Sequence, residues 1–355
     1  MTNIYLTIFF TIVCSIPILG WIFFFQKRNC ENKKYVCLTF AAGMLSVLPI
    51  KLYEKYWNTA VLYFENINLF KHISSLLHIP SFSKLLAFIS VNAIVATILF
   101  LFAAFLMFIL EVFSRDNTVR TFEKKTTKIL ECPLFFISVG VLCGILAYFF
   151  SFTMPQKVWF FIIIGMLEEY IKHLVLRFAD DDKINSIDDA ISFSIIVALG
   201  FAFVENILYL QNFWNAGFYS IVQFIIFVAL RSSISVIAHV CFSAILGYFY
   251  GIAHFAKIIY KQEVQERKHP FLVFLHKILH LKASTLFHEE KMMEGMIVAM
   301  GIHAAFNSLL EFGKINILVP SLLFLFFITL NLFHRKKLHL EVGNMHHQTV
   351  VVAQS

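Results

Sequence analysis

Charge is what this sequence has least of. Only 14% of its 355 residues are Asp, Glu, Lys or Arg, against about 25% in an ordinary soluble domain. So few ionic groups do not make the surface of a water-soluble fold of this length. The six cysteines (Cys14, Cys30, Cys37, Cys132, Cys143 and Cys241) form no CxxC pair, so neither a thiolate metal site nor a disulfide framework is indicated. There is no Gly-rich phosphate loop, no GxSxG nucleophile motif and no internal repeat. Phosphate-cradling and serine-nucleophile chemistries therefore find no support. No basic stretch precedes the first apolar run, which reads as a retained anchor helix and not a cleaved signal.

What fills the chain is apolar sequence, at 59% hydrophobic residues and a mean hydropathy of +0.77. Runs of roughly 18 or more apolar residues recur, each long enough to cross about 30 Å of hydrocarbon. They are continuous and do not alternate, so helices are expected and not strands. The fold class is all-α, a polytopic membrane helix bundle with about nine spans. These run near 3–25, 36–50, 86–113, 133–153, 157–178, 188–212, 218–256, 292–311 and 315–333. The second is short, and the seventh is long enough to require a break near Arg231-Ser232-Ser233. N-terminal helices and loops (1–132), a catalytic membrane core (133–312) and a last span with its tail (313–355) form the expected divisions.

The net charge of +7 lies in particular loops, which points to topology and not to a nucleic-acid partner. Lys and Arg concentrate in 26–35, 114–132, 257–291 and the tail after His334. By the positive-inside rule these are cytoplasmic, with the N-terminus outside; the expected location is the plasma membrane. Within 257–291, Phe271, Phe274, Leu275, Ile278 and Leu279 recur at helical spacing between basic residues, as in a helix lying in the membrane interface.

Ionisable groups inside a span cost about 2.5–3.5 kcal/mol each on insertion scales, so those present are candidates for function. The fifth span carries adjacent Glu168 and Glu169, with Lys172 four and three residues on and able to reach either. The sixth carries Glu205, which has no basic residue within four positions of its own helix. It therefore needs a partner on another helix, a metal or a proton. The seventh holds His239, and the eighth holds His303 and Asn307 at i, i+4 on one face. Counted at about 1.5 Å per residue from the outer end of each span, Glu169 lies about 18 Å deep, Glu205 and His239 about 11 Å, His303 about 12 Å and Asn307 about 6 Å. Most lie in the outer half of the membrane, with the glutamate pair nearer the midplane, as expected of one cavity open to the outside.

Taken in order, Glu168-Glu169-x-x-Lys172, Phe201-x-x-x-Glu205-Asn206, His239 and His303-x-x-x-Asn307 resemble the motif series of the PrsW family of intramembrane proteases. That family is grouped with the CAAX prenyl endopeptidases, so the resemblance implies a CAAX-protease-like core over about 160–312. The wider group commonly has an Arg after the Glu pair and a His where Glu205 stands, and the Lys172 and Glu205 variants favour the PrsW branch. The resemblance implies hydrolysis of membrane-anchored protein substrates, anti-sigma-factor-like regulators among them, by site-1 type cleavage. Two chemistries fit the residues. In one, Glu205, His239 and His303 bind a divalent metal such as Zn2+, with Glu168 or Glu169 as general base. In the other no metal is bound, a glutamate and a histidine activate water, and His303 and Asn307 stabilise the oxyanion. Lys172 orients the glutamate pair in both. The rival classes are an ion- or proton-coupled transporter, for which matched broken helices are missing, and a non-catalytic membrane scaffold.

Overall fold

The computed structural model describes residues 4–29, 33–79, 81–114, 133–180, 184–217, 220–256, 259 and 283–334. These are helical, with no strand among them. The helices are α1 (Ile4–Asn29), α2 (Lys33–Leu45), α3 (Val47–Glu65), α4 (Asn68–Leu76), α5 (Phe82–Ser114), α6 (Pro133–Thr153), α7 (Gln156–Asp180), α8 (Ile187–Asn215), α9 (Ile221–Leu230), α10 (Val236–His254), α11 (Ala283–Glu311) and α12 (Ile315–His334). A π-helical turn, Arg231–Ser235, joins α9 to α10. Local chemistry sets several ends. Ser186 caps α8 by accepting from the Asp189 N–H at 3.1 Å, and Asp188 and Asp189 sit in the first turn, where carboxylates favour a helix N-terminus. Gly313, at φ +64°, turns α11 into α12, with the Gly313 and Lys314 N–H groups bonding back to Leu310 and Leu309.

Among the described residues, seven stretches are long and apolar enough to cross a membrane: Ile4–Phe24, Lys34–Glu65, Phe82–Leu106, Ile187–Asn215, Ile221–His254, Leu286–Glu311 and Ile315–Leu332. The other two expected spans coincide with α6, whose apolar part is Ser138–Thr153, and with α7, whose ionic groups keep it out of that set. Side chains such as Ile8, Ile12, Leu101, Phe105, Phe324 and Phe327 are exposed, as lipid-facing residues of a multi-pass membrane protein should be.

Two expectations are revised. The second span does not stop at Lys51. α2 is followed directly by α3, and an apolar helical stretch runs on to Glu65. Lys51 forms an ion pair with Glu54 at 2.7 Å, which offsets the charge within α3, and Tyr53, Trp57 and Val61 recur on one buried face. Nor does the chain break at Arg231. The helix continues through the π-turn. The expected interfacial helix in 257–291 falls largely outside the described residues.

The chain forms two compact units. The first comprises Met1–Met44, Asp180–Ala299 and Val319–Ser355. Its axis is α8, in which nearly every residue from Ile187 to Phe203 is buried. Glycine permits the close approach of α2 to it. A Cβ on Gly43 would collide with the Val197 carbonyl, and one on Gly200 with the Phe40 carbonyl, the small-residue contact common between membrane helices. α10 lies along the other side, with Ser194 Oγ donating to the Ser243 carbonyl at 2.6 Å.

The second unit comprises Leu45–Ala179 and Met300–Leu318. Its aromatic core gathers Tyr53, Trp57, Phe88, Trp159 and Phe160, with the Trp57 and Phe88 rings 5.3 Å apart and Tyr53 and Phe160 stacked at 5.9 Å. The Tyr53 hydroxyl donates to Asn92 Oδ1 at 3.1 Å, and Lys157 reaches Glu311 at 2.9 Å. Within this unit α7 is buried without interruption from Ile162 to Leu176, so its charged groups are screened from lipid by protein.

Candidate active site

The polar residues singled out in the sequence fall into two clusters, each within one unit. The cluster of the second unit is built on α7 and the end of α11. Glu168, Glu169 and Lys172 are almost fully buried, at 3%, 0% and 1% exposure. Lys172 pairs with Glu169, with Nζ 2.7 Å from Oε1. His303, on α11, places Nδ1 at 2.8 Å from the same Glu169 oxygen. A carboxylate beside an ammonium group is an acceptor, so Nδ1–H donates and the imidazole presents Nε2 elsewhere. That Nε2 lies 3.6 Å from Glu168 Oε2. The separation exceeds a hydrogen bond.

A glycine makes this approach of α11 to α7 feasible. A Cβ on Gly165 would stand 2.8 Å from Asn307 Nδ2 and 3.1 Å from His303 Cδ2. Asn307 then ties the helices by donating to the Phe161 carbonyl at 2.9 Å. His303 and Asn307 thus share a face, as their spacing requires.

The cluster of the first unit is built on α8, the π-turn and α10. Glu205 is 6% exposed and His239 4%. The partner that Glu205 needs on another helix is found twice over. Its Oε2 is 2.9 Å from His239 Nε2 and 3.1 Å from an Arg231 guanidinium nitrogen. Arg231 Nε donates to Asn206 Oδ1 at 3.1 Å, and Asn206 Nδ2 returns a bond to the Arg231 carbonyl at 3.3 Å. The guanidinium carbon lies 3.8 Å from the Tyr209 ring centroid. The Phe201 and Phe242 rings flank His239.

The two clusters share a plan: a cation holds a carboxylate, and the carboxylate holds a histidine. Lys172, Glu169 and His303 form one series, and Arg231, Glu205 and His239 the other. Fixing one ring nitrogen with a carboxylate sets the tautomer and orientation of the other, which is how metal-ligating histidines are commonly held. Sequence reading assigned Arg231 only to a helix break. The signal available was an arginine within an apolar run, and its pairing with a motif glutamate requires the fold.

The protein matches a family described as PrsW family intramembrane metalloprotease over residues 80–332. A curated relative, named Protease PrsW, from Geobacillus kaustophilus (strain HTA426), is 35% identical over 98 residues, or 27% of this chain. The chain spans about two fifths (39%) of the length of that relative. No solved structure matches it. The family match embraces both clusters and more than half of the sequence, and the chain belongs to the PrsW family.

Proposed function

We propose that this protein is an intramembrane endopeptidase of the metallo type, hydrolysing a peptide bond in membrane-anchored protein substrates. The observation that carries the reading is the setting of His303: Nδ1 is held by Glu169, and Nε2 is turned to Glu168 at 3.6 Å. A buried imidazole fixed in this way suits ligation through Nε2. By the motif resemblance, the ligands of a divalent ion, zinc by donor type, would be His303, His239 and Glu205. Such an ion, when bound, polarises a water molecule and the scissile carbonyl.

The remaining roles follow from the protein groups. Glu168 is the general base, because a carboxylate beside His303 Nε2 is within reach of a water held there. Glu169 has Lys172 and His303 on one oxygen and serves to orient His303. Lys172 balances its charge. Asn307 uses one amide hydrogen on Phe161 and keeps a second for the oxyanion of the tetrahedral intermediate. Substrates of single-pass type, anti-sigma-factor-like regulators among them, follow from the motif resemblance. The basic loops favour an orientation with the N-terminus outside, in what we take to be the plasma membrane.

The experiment is cleavage of candidate single-pass substrates by purified full-length protein in lipid, with and without chelator, beside Glu168→Gln. Chelator-sensitive cleavage lost in the variant supports the proposal. Ion or proton uptake into proteoliposomes, without cleavage, would favour the transport reading instead.

A further inference from the structure

We infer that Arg231 is a positioning residue of the catalytic site, holding the Glu205–His239 pair in its working geometry. This inference rests on the proteolytic reading above.

Two features of the chain converge on it. The first is the π-turn. Successive α-helical residues are rotated by about 100°, so residues eight apart point about 80° apart. A π-turn accommodates one extra residue, which reduces the angle between Arg231 and His239 to about 20°. The turn Arg231–Ser235 lies between them. It accounts for how both side chains reach the same oxygen of Glu205, at 3.1 and 2.9 Å.

The second feature is how firmly the guanidinium is held. Glu205, Asn206 and Tyr209 lie within one turn of α8. Asn206 binds both the side chain and the backbone carbonyl of Arg231, and the Tyr209 ring lies under the guanidinium plane. An arginine needed only for charge balance gains nothing from such restraint. A planar fork fixed at three points can set the direction of a carboxylate, and lysine has no equivalent geometry. Arg231 corresponds in this role to Lys172, but it acts across two helices where Lys172 acts within one.

The test uses full-length protein in nanodiscs, as Arg231→Gln, Arg231→Lys and Tyr209→Leu. Three quantities are measured: zinc affinity by competition with a chromophoric chelator, the visible spectrum of the cobalt-loaded protein, and kcat and KM for a single-pass substrate. The expected result for Arg231→Gln is a loss of about 10- to 100-fold in zinc affinity or kcat, with KM unchanged and an altered cobalt spectrum. Arg231→Lys fails to restore any of these. Tyr209→Leu, which leaves the charges in place, shifts the cobalt spectrum in the same direction by a smaller amount. Wild-type affinity, spectrum and kcat in Arg231→Gln would overturn the inference, as would full rescue by lysine. If the wild type cleaves without metal, the metal assignment fails separately. Arg231 is then judged on kcat, where a drop in Arg231→Gln at constant KM supports positioning and an unchanged kcat refutes it.

Discussion

Glu169→Gln separates the two jobs that a buried carboxylate can do. Glu169 is fully buried, and its Oε1 is 2.7 Å from Lys172 Nζ and 2.8 Å from His303 Nδ1. The amide matches the carboxylate in size and still offers an oxygen to Nδ1–H. It cannot balance the ammonium group of Lys172, which is only 1% exposed. Removing one partner of a buried ion pair costs about 3–5 kcal/mol. Removing both costs far less, and can be neutral where the replacements pack well. Glu169→Gln is therefore expected to lose about 3–5 kcal/mol of stability in reversible unfolding from mixed micelles. Lys172→Met should lose a similar amount, and the double variant should recover most of it. Activity should follow a different order, low in Glu169→Gln and still low in the double variant, since His303 has lost its charged orienting partner in both. A Glu169→Gln protein as stable as wild type, or a double variant no more stable than the single ones, would refute the assignment of this pair.

Other outcomes follow from the same geometry. Glu168→Gln should reduce kcat by about 10²- to 10⁴-fold, the range for loss of a general base, while keeping metal content, as read by metal analysis and substrate turnover. Gly165→Ala should destabilise the protein by about 1–3 kcal/mol through overpacking, since its Cβ would meet Asn307 at 2.8 Å. An unfolding curve like that of wild type would mean that α11 does not need this approach. Asn307→Ala should retain metal and lose on the order of 10²-fold in kcat, whereas metal loss would reassign it. Single cysteines placed at 120 or 270 should be labelled only from the cytoplasmic side, and labelling from outside would reverse the topology.

The sequence carried the membrane bundle almost directly, because burying backbone in lipid demands long apolar helices and the runs are plain. Its errors were at charges. Lys51 looked like the end of a span, yet its pairing with Glu54 lets the helix continue to Glu65. Arg231 looked like a break, yet it begins a π-turn inside a continuous helix. Long-range pairing was the part least open to reading. Spacing allowed Lys172 to serve either glutamate, and the Glu169 oxygen it meets is shared with a histidine 134 residues away. Likewise, the need of Glu205 for a partner was evident from its isolation on α8, but the identity of that partner was not. Asn206, Tyr209 and the arginine they restrain meet only when α8 and the π-turn pack together.

The central claim is that this chain performs metal-dependent proteolysis, and metal analysis joined to cleavage tests it most directly. Purified wild type, assayed on a single-pass substrate, should carry about one zinc per chain, as a single catalytic site implies. A chelator should abolish its activity and added zinc should restore it, while His303→Ala should lose both metal and cleavage. A metal-free wild type with full, chelator-resistant activity would contradict the account.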